Sequence, residues 1–120
     1  MATINPTFVR VANAQQATWA ALANGDDGNP LEVQDDNDHC VQFIGTFGAG
    51  GTIVWQGSNN GTNWETLTDA QGLAISKTAA ALEQVVEAPR YVRPNVTGGD
   101  GTTAITCILI ARRSRTLIHG

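Results

Sequence analysis

The sequence predicts an all-β fold: a single antiparallel β-sandwich or β-barrel domain, jelly-roll-like, with an extended N-terminal arm. Three observations carry this. From Thr18 onward, short apolar and β-branched segments recur with clusters of Gly, Asn and Asp between them, the spacing of a sandwich or barrel. Within the segment after His39, Val41, Phe43, Gly45 and Phe47 alternate with Gln42 and Thr46, the two-residue period of a half-buried strand. Finally, 120 residues and 12.6 kDa, 42% of them apolar and 15% charged, suit one soluble globular domain and leave no room for a second.

The chain divides into an N-terminal arm or first strand (1–14), the sandwich (15–112) and a C-terminal tail (113–120). The arm holds Ile4, Phe8 and Val9 around Pro6 with no turn signal, so it reads either as a segment that docks on a neighbour or as an ordinary first strand. Candidate strands follow at 18–23, 31–34, 40–47, 52–57, 64–68, 73–76, 82–87, 90–96 and 103–112. Two segments also read as candidate helices: 12–24 is alanine-rich and ends in Asn24-Gly25, a helix-stop signal, and 78–87 places Ala79, Leu82, Val85 and Val86 near helical spacing. Strands or irregular turns are the preferred reading, because ten-residue helices rarely form without tertiary help. Pro89 and Pro94 each remove a backbone donor, which predicts a sheet edge for 90–96 that presents Arg90, Tyr91 and Arg93 outward. In the last strand, Ile105, Cys107 and Leu109 alternate with Thr106, Ile108 and Ile110; two apolar faces predict a central strand covered on both sides.

The net charge of −4 is unevenly spread. Asp26, Asp27, Glu32, Asp35, Asp36 and Asp38 fall in one base-free stretch, whereas Arg90, Arg93, Arg112, Arg113 and Arg115 face a single acid, Asp100. Such patches either mate between copies or sit on solvated loops. Cys40 and Cys107 form no CxxC motif, and the expectation is two reduced cysteines packed in the core; a disulfide between neighbouring strands would need an oxidising compartment.

No enzyme is expected. General acid-base or nucleophilic catalysis needs converging groups, and the histidines are only His39, expected in solvent after an acidic loop, and His119, next to the terminus. Cys40 beside His39 fails as a nucleophile-base pair, since adjacent strand residues point to opposite faces. The run Asp35-Asp36-Asn37-Asp38 offers calcium-type oxygens but lacks the glycine and glutamate of an EF-hand loop. Gly45, Gly48, Gly50 and Gly51 lack a phosphate-loop ending and fit a hairpin turn. No cofactor is implied. An acidic chain with only Arg112-Arg113-Ser114-Arg115 concentrated predicts no sequence-specific nucleic-acid binding. The longest apolar run falls far short of the roughly 20 residues of a membrane helix, so no membrane partner is expected. The N-terminal residues carry no secretory pattern, so export would need another route.

The most informative stretch is Trp55-Gln56-Gly57-Ser58-Asn59-Asn60-Gly61-Thr62-Asn63-Trp64-Glu65-Thr66-Leu67. Physically it predicts a hairpin in which Asn60-Gly61 supplies positive φ angles. Its Ser-Asn-x-Gly-x-x-Trp turn also resembles that of discoidin-type carbohydrate-binding domains over about a dozen residues, which would make Trp64 and Asn60 glycan contacts.

Five pieces taken in order carry a wider resemblance. They are Thr18-Trp19-Ala20-Ala21-Leu22-Ala23-Asn24-Gly25-Asp26-Asp27-Gly28-Asn29-Pro30, Val41-Gln42-Phe43-Ile44-Gly45-Thr46-Phe47-Gly48, the hairpin above, Ala88-Pro89-Arg90-Tyr91-Val92-Arg93-Pro94, and Val96-Thr97-Gly98-Gly99-Asp100-Gly101. Together they resemble small proteins of tailed bacteriophages that decorate or cement the capsid and are often encoded beside the major capsid protein. The resemblance implies a structural virion protein, made in the host bacterial cytoplasm and placed on the capsid surface. It would bind the major capsid protein as a dimer or trimer and stabilise contacts between capsomers. Ile4, Phe8 and Arg10 on the arm, Arg90, Tyr91 and Arg93, and Arg112, Arg113 and Arg115 are then the expected interaction residues. The alternatives are a carbohydrate-binding module and a tail or neck component of the particle.

Overall fold

A computed structural model describes residues 2–11, 14–33 and 37–112. Twelve strands, with no helix among the described residues, build two sheets: β1 (Thr3–Ile4), β2 (Thr7–Val11), β3 (Ala14–Leu22), β4 (Asp27–Gly28), β5 (Leu31–Glu32), β6 (Asp38–Thr46), β7 (Thr52–Ser58), β8 (Glu65–Thr66), β9 (Ser76–Lys77), β10 (Ala81–Val85), β11 (Tyr91–Gly98) and β12 (Ala104–Arg112). Sheet A runs β1-β4-β11-β7-β8, with β5 also on β11 and β9 also on β7; sheet B runs β10-β6-β12-β3-β2. From β3 onward the chain passes repeatedly between the sheets, β3, β6, β10 and β12 in one and the rest in the other. That order is a jelly-roll sandwich. All named strand pairs are antiparallel except β1 with β4.

Alternation sets the core. Val41 and Phe43 of β6, Trp19 and Leu22 of β3 and Ile105, Cys107 and Leu109 of β12 turn inward from sheet B, against Ile53 and Trp55 of β7 and Val92 and Val96 of β11. Trp19 and Trp55 meet edge to face across the sandwich, centroids 5.7 Å apart at 70°, and both are fully buried. The Trp19 indole N–H donates to the Asn29 carbonyl at 3.1 Å, which ties the core to the β4–β5 connection. Both candidate helices are strands: nine residues of the first form β3, and Ala81–Val85 of the second form β10. Long-range pairing outweighs their local propensity.

Segment 90–96 is not a sheet edge. β11 lies in the middle of sheet A, and Pro94, buried, stands opposite Trp55. The backbone N–H and C=O of Trp55 are used on the far side, donating to Ile75 and accepting from Leu67, so Pro94 has no bond to give to β7. On its other side the neighbouring strand is broken: β4 pairs at Asn95 and β5 at Tyr91 and Val92, with Asn29-Pro30 between them. The missing donor falls opposite this interruption, where no ladder bond is required. Gly28 makes the fit possible, since a Cβ there would stand 2.5 Å from Pro94 Cδ and 2.6 Å from Trp19 Cδ1.

The arm pairs with its own domain. β1 lies along β4 at the edge of sheet A, and β2 along β3 at the edge of sheet B, so the segment borders both sheets on one side. A bulge interrupts β3 where it pairs with β12, between the Leu22 and Trp19 registers, and there Ala21 takes φ 54° while its N–H donates to Thr106 Oγ1. The glycines at 48, 50 and 51 do not turn a hairpin, because β6 and β7 belong to different sheets; they arch the chain from one to the other.

Candidate functional site

Two outer faces offer themselves to a partner, and they differ in chemistry. On sheet A, Tyr91, Arg93 and Asn95 of β11 and Val54, Gln56 and Ser58 of β7 point away from the core. Arg93 is the hub: its Nε donates to Gln56 Oε1 at 2.9 Å, its Nη1 pairs with Asp27 Oδ2 at 3.4 Å, and its guanidinium lies 4.2 Å from the Trp64 ring centroid. Arg90 pairs with Glu32 at 2.9 Å and lies over the Tyr91 ring at 5.0 Å. At the end of sheet B, Arg112 pairs with Asp38 at 3.0 Å, and Gln84 together with Arg112 holds the Asp38 carboxyl below its ordinary pKa. The acids and arginines that stand apart in sequence thus meet inside one chain, in three pairs.

The outer face of sheet B is uncharged across its middle. Register sets its rows: Leu82, Gln42, Ile108, Thr18 and Thr7 in one, Gln84, Cys40, Ile110, Gln16 and Val9 in the next. Ile44 is 39% exposed, Val9 54% and Leu82 64%; Ile108 and Ile110 are half-buried by their own neighbours. The alternation in β12 does mark a central strand, but nothing among the described residues covers its second face. Cys40 belongs to this face, half-buried, and only Cys107 is in the core. Their β-strand parities point them to opposite sides of sheet B, so they do not pair with each other. Burial raises the pKa of the Cys40 thiol and raises that of Cys107 well above its ordinary value.

The expected interaction residues do not form one site. Arg90, Tyr91 and Arg93 share the outer face of sheet A, whereas Arg112 caps one end of β12. Ile4 packs partly on the core, and Phe8 is 53% exposed on edge strand β2 with Arg10 beyond it. Arg113 and Arg115 lie outside the described residues, as do Asp35, Asp36 and His119. His39 is buried, 1% exposed, because it shares the inward parity of Val41 and Phe43.

The Ser58–Asn63 turn consumes its own polar groups. Ser58 Oγ donates to Asn60 Oδ1 and accepts from the N–H groups of Asn60 and Gly61, while Asn60 Oδ1 also accepts from Thr62 and Asn63 and its amide donates to Asn63. Asn59 Oδ1 accepts from the Arg90 N–H. Gly61 alone has a positive φ, 76°, so Asn60 serves through its side chain and not its backbone. Beside this turn an open groove of about 430 Å³ is lined by Asn63, Glu65, Leu67, Glu87 and Pro89, among others. Partial burial opposes ionisation of Glu87, but the Thr68 N–H and hydroxyl, at 2.8 and 2.6 Å, outweigh it and hold its pKa below the ordinary value.

At one end of the sandwich Asp100 clasps two loops. Its carboxylate accepts from the Ala49 N–H at 2.9 Å and from the Thr102 N–H and hydroxyl, while Thr103 Oγ1 donates to the Phe47 carbonyl. The Thr102 hydroxyl and the Ala49 and Thr102 N–H groups lower the Asp100 pKa to about 2.

No protein-family model and no curated protein matches the sequence. Among solved structures, the SPBc2 prophage-derived protein YomS superposes with a TM-score of 0.62 at 13% identity, over 86% of this chain and 97% of that one. NMB1881 from Neisseria meningitidis aligns with a TM-score of 0.44 at 14% identity, over 89% of this chain and 81% of that one. At this identity the likeness to YomS is one of fold: nearly the whole of a small prophage-derived protein shares this sandwich.

Proposed function

We propose that this chain is a structural protein of a bacteriophage particle, a decoration or cement protein bound to the outside of the capsid. The observation that carries the reading is the match in fold over 97% of a prophage-derived protein, which agrees with the ordered motifs that resemble phage decoration proteins. The physics suits the role. A shell under pressure fails at contacts between capsomers, and a stiff sandwich straddling such a contact adds buried area at many equivalent places. Weak single contacts become strong when copies are joined, since the second contact forms at high effective concentration. The major capsid protein is the partner, the capsid surface the location and the host cytoplasm the place of synthesis. Arg90, Arg93 and Arg112 then meet the capsid as neutral pairs with Glu32, Asp27 and Asp38, and not as bare cations.

Co-sedimentation with expanded capsids of the same phage, assembled without this protein, tests the proposal. Saturation at a stoichiometry matching the shell's repeating positions is expected. Absence of binding at saturating concentration overturns it. A second reading, a glycan-binding module, draws on one observation: Trp64 and Tyr91 stand with Arg93 and Gln56 on the outer face of sheet A. Saturable binding to a glycan array, lost in Tyr91→Ala and kept in Leu82→Ala, would favour it. Asn60 is unsuited to this test because it holds the turn itself.

A further inference from the structure

We infer that the outer face of sheet B is a self-association surface, on which a second copy of this chain seats its own sheet B about a twofold axis passing near Ile108 and Ile110. The inference is independent of the virion reading and concerns the face alone.

Area is the first argument. Five strands about 4.8 Å apart, three of nine residues and two of five, rising about 3.3 Å per residue, cover on the order of 600 Å² per copy. Two copies would bury about 1,200 Å², at the lower end of the range of stable protein interfaces. Charge is the second. The two central rows contain no charged side chain, while Asp38 and Arg112 stand at the rim already paired. A charged partner would find no counter-charge here, but an identical uncharged face brings none to be desolvated. Polar chemistry is the third. Apart from the apolar side chains, the face presents Gln16, Gln42, Gln84, Thr18 and Thr106, and amides and hydroxyls donate and accept alike. A twofold axis sets such groups against their own kind, which an acceptor-only carboxylate would forbid.

Cys40 supplies a native reporter on this face, since Cys107 is buried. Sedimentation velocity of the full chain under reducing conditions should give twice the monomer mass, and the rate of maleimide reaction at Cys40 should fall as protein concentration rises. Ile108→Lys should weaken the dimer by at least about tenfold and remove the concentration dependence at Cys40. Leu82→Lys, at a position already 64% exposed in the single chain, should also weaken it and guards against a folding defect in the first variant. Arg93→Ala, on the opposite face, should leave the dimer intact. A chain monomeric at every concentration overturns the inference, as does a dimer that both lysine variants leave unchanged. Protection of Cys40 only when capsids are added would also overturn it and would give the face to the capsid; capsid binding can fail while the dimer stands.

Discussion

The two outer faces of the sandwich differ in chemistry: on one, charged side chains are bound to their neighbours across the strands, and the other is uncharged through its middle. On sheet A, Arg93 holds Gln56, Asp27 and the Trp64 ring together, and Arg90 joins Glu32 to Tyr91. On sheet B, the middle rows are Leu, Ile, Val, Gln, Thr and Cys, with Gln84 tied to Asp38 at the rim. The difference teaches where stability and association reside. A face already bonded within the chain offers a partner few unmet groups, whereas an uncharged face with branched apolar side chains gains by being covered.

The strongest way to break this comparison is to remove what the two sheets share. Trp19→Ala should cost about 3–5 kcal/mol and unfold both faces in one transition, because Trp19 reaches from sheet B to Trp55 and to the Asn29 carbonyl; urea unfolding followed by fluorescence and circular dichroism checks it. Next is Gly28→Val, which places a side chain against Pro94 and Trp19 and should cost about 1–3 kcal/mol while leaving sheet B's outer face untouched. A finer comparison sets Arg93→Ala against Thr18→Ala. The first removes a cation-π contact and a half-screened ion pair and should cost about 1 kcal/mol, with a coupling to Trp64 visible in a double-mutant cycle. The second, an outward residue of sheet B, should change stability by no more than about 0.5 kcal/mol.

The smallest effect belongs to the end of the sandwich and appears only in acid. Asp100 binds a proton less readily when folded than when unfolded, its pKa lying near 2 against an ordinary 3.8. Its contribution is therefore complete above the unfolded value and disappears as pH falls from about 4 toward 2. Asp38, also lowered, acts in the same direction. Melting temperature measured from pH 5 to pH 2 should fall for the wild type, and Asp100→Asn should flatten that slope, with a lower melting temperature at pH 7.

Much of the strand order was readable along the chain. Val41 and Phe43, or Ile105, Cys107 and Leu109, announce an inward face because the pleat has a period of two and a buried face tolerates only apolar residues. What that pattern leaves open is what lies on the other side. Ile108 and Ile110 make the second face of β12 apolar, and sequence alone suggests a cover inside the chain where the described residues supply none. Pro94 misled in the same way. A proline reports a missing donor, and only the tertiary arrangement reveals that the neighbouring strand is interrupted at Asn29-Pro30, so that a central strand accepts it. His39 is buried because strand parity, and not the acidity of its neighbours along the chain, fixes the side to which it points.

The candidate interaction residues were the least legible, since charge along a sequence says nothing of distance in space. Asp27 and Arg93, Glu32 and Arg90, and Asp38 and Arg112 are far apart in the chain and adjacent in the fold. The sequence by itself determined that this protein is all-β and that the alternating apolar residues of β6 and β12 face inward, because these follow from local period. Only the tertiary structure decided that β11 is central, which charges cancel and which apolar face the described residues leave open. Those properties depend on pairing between distant segments, and pairing is settled by how the two sheets close over Trp19 and Trp55.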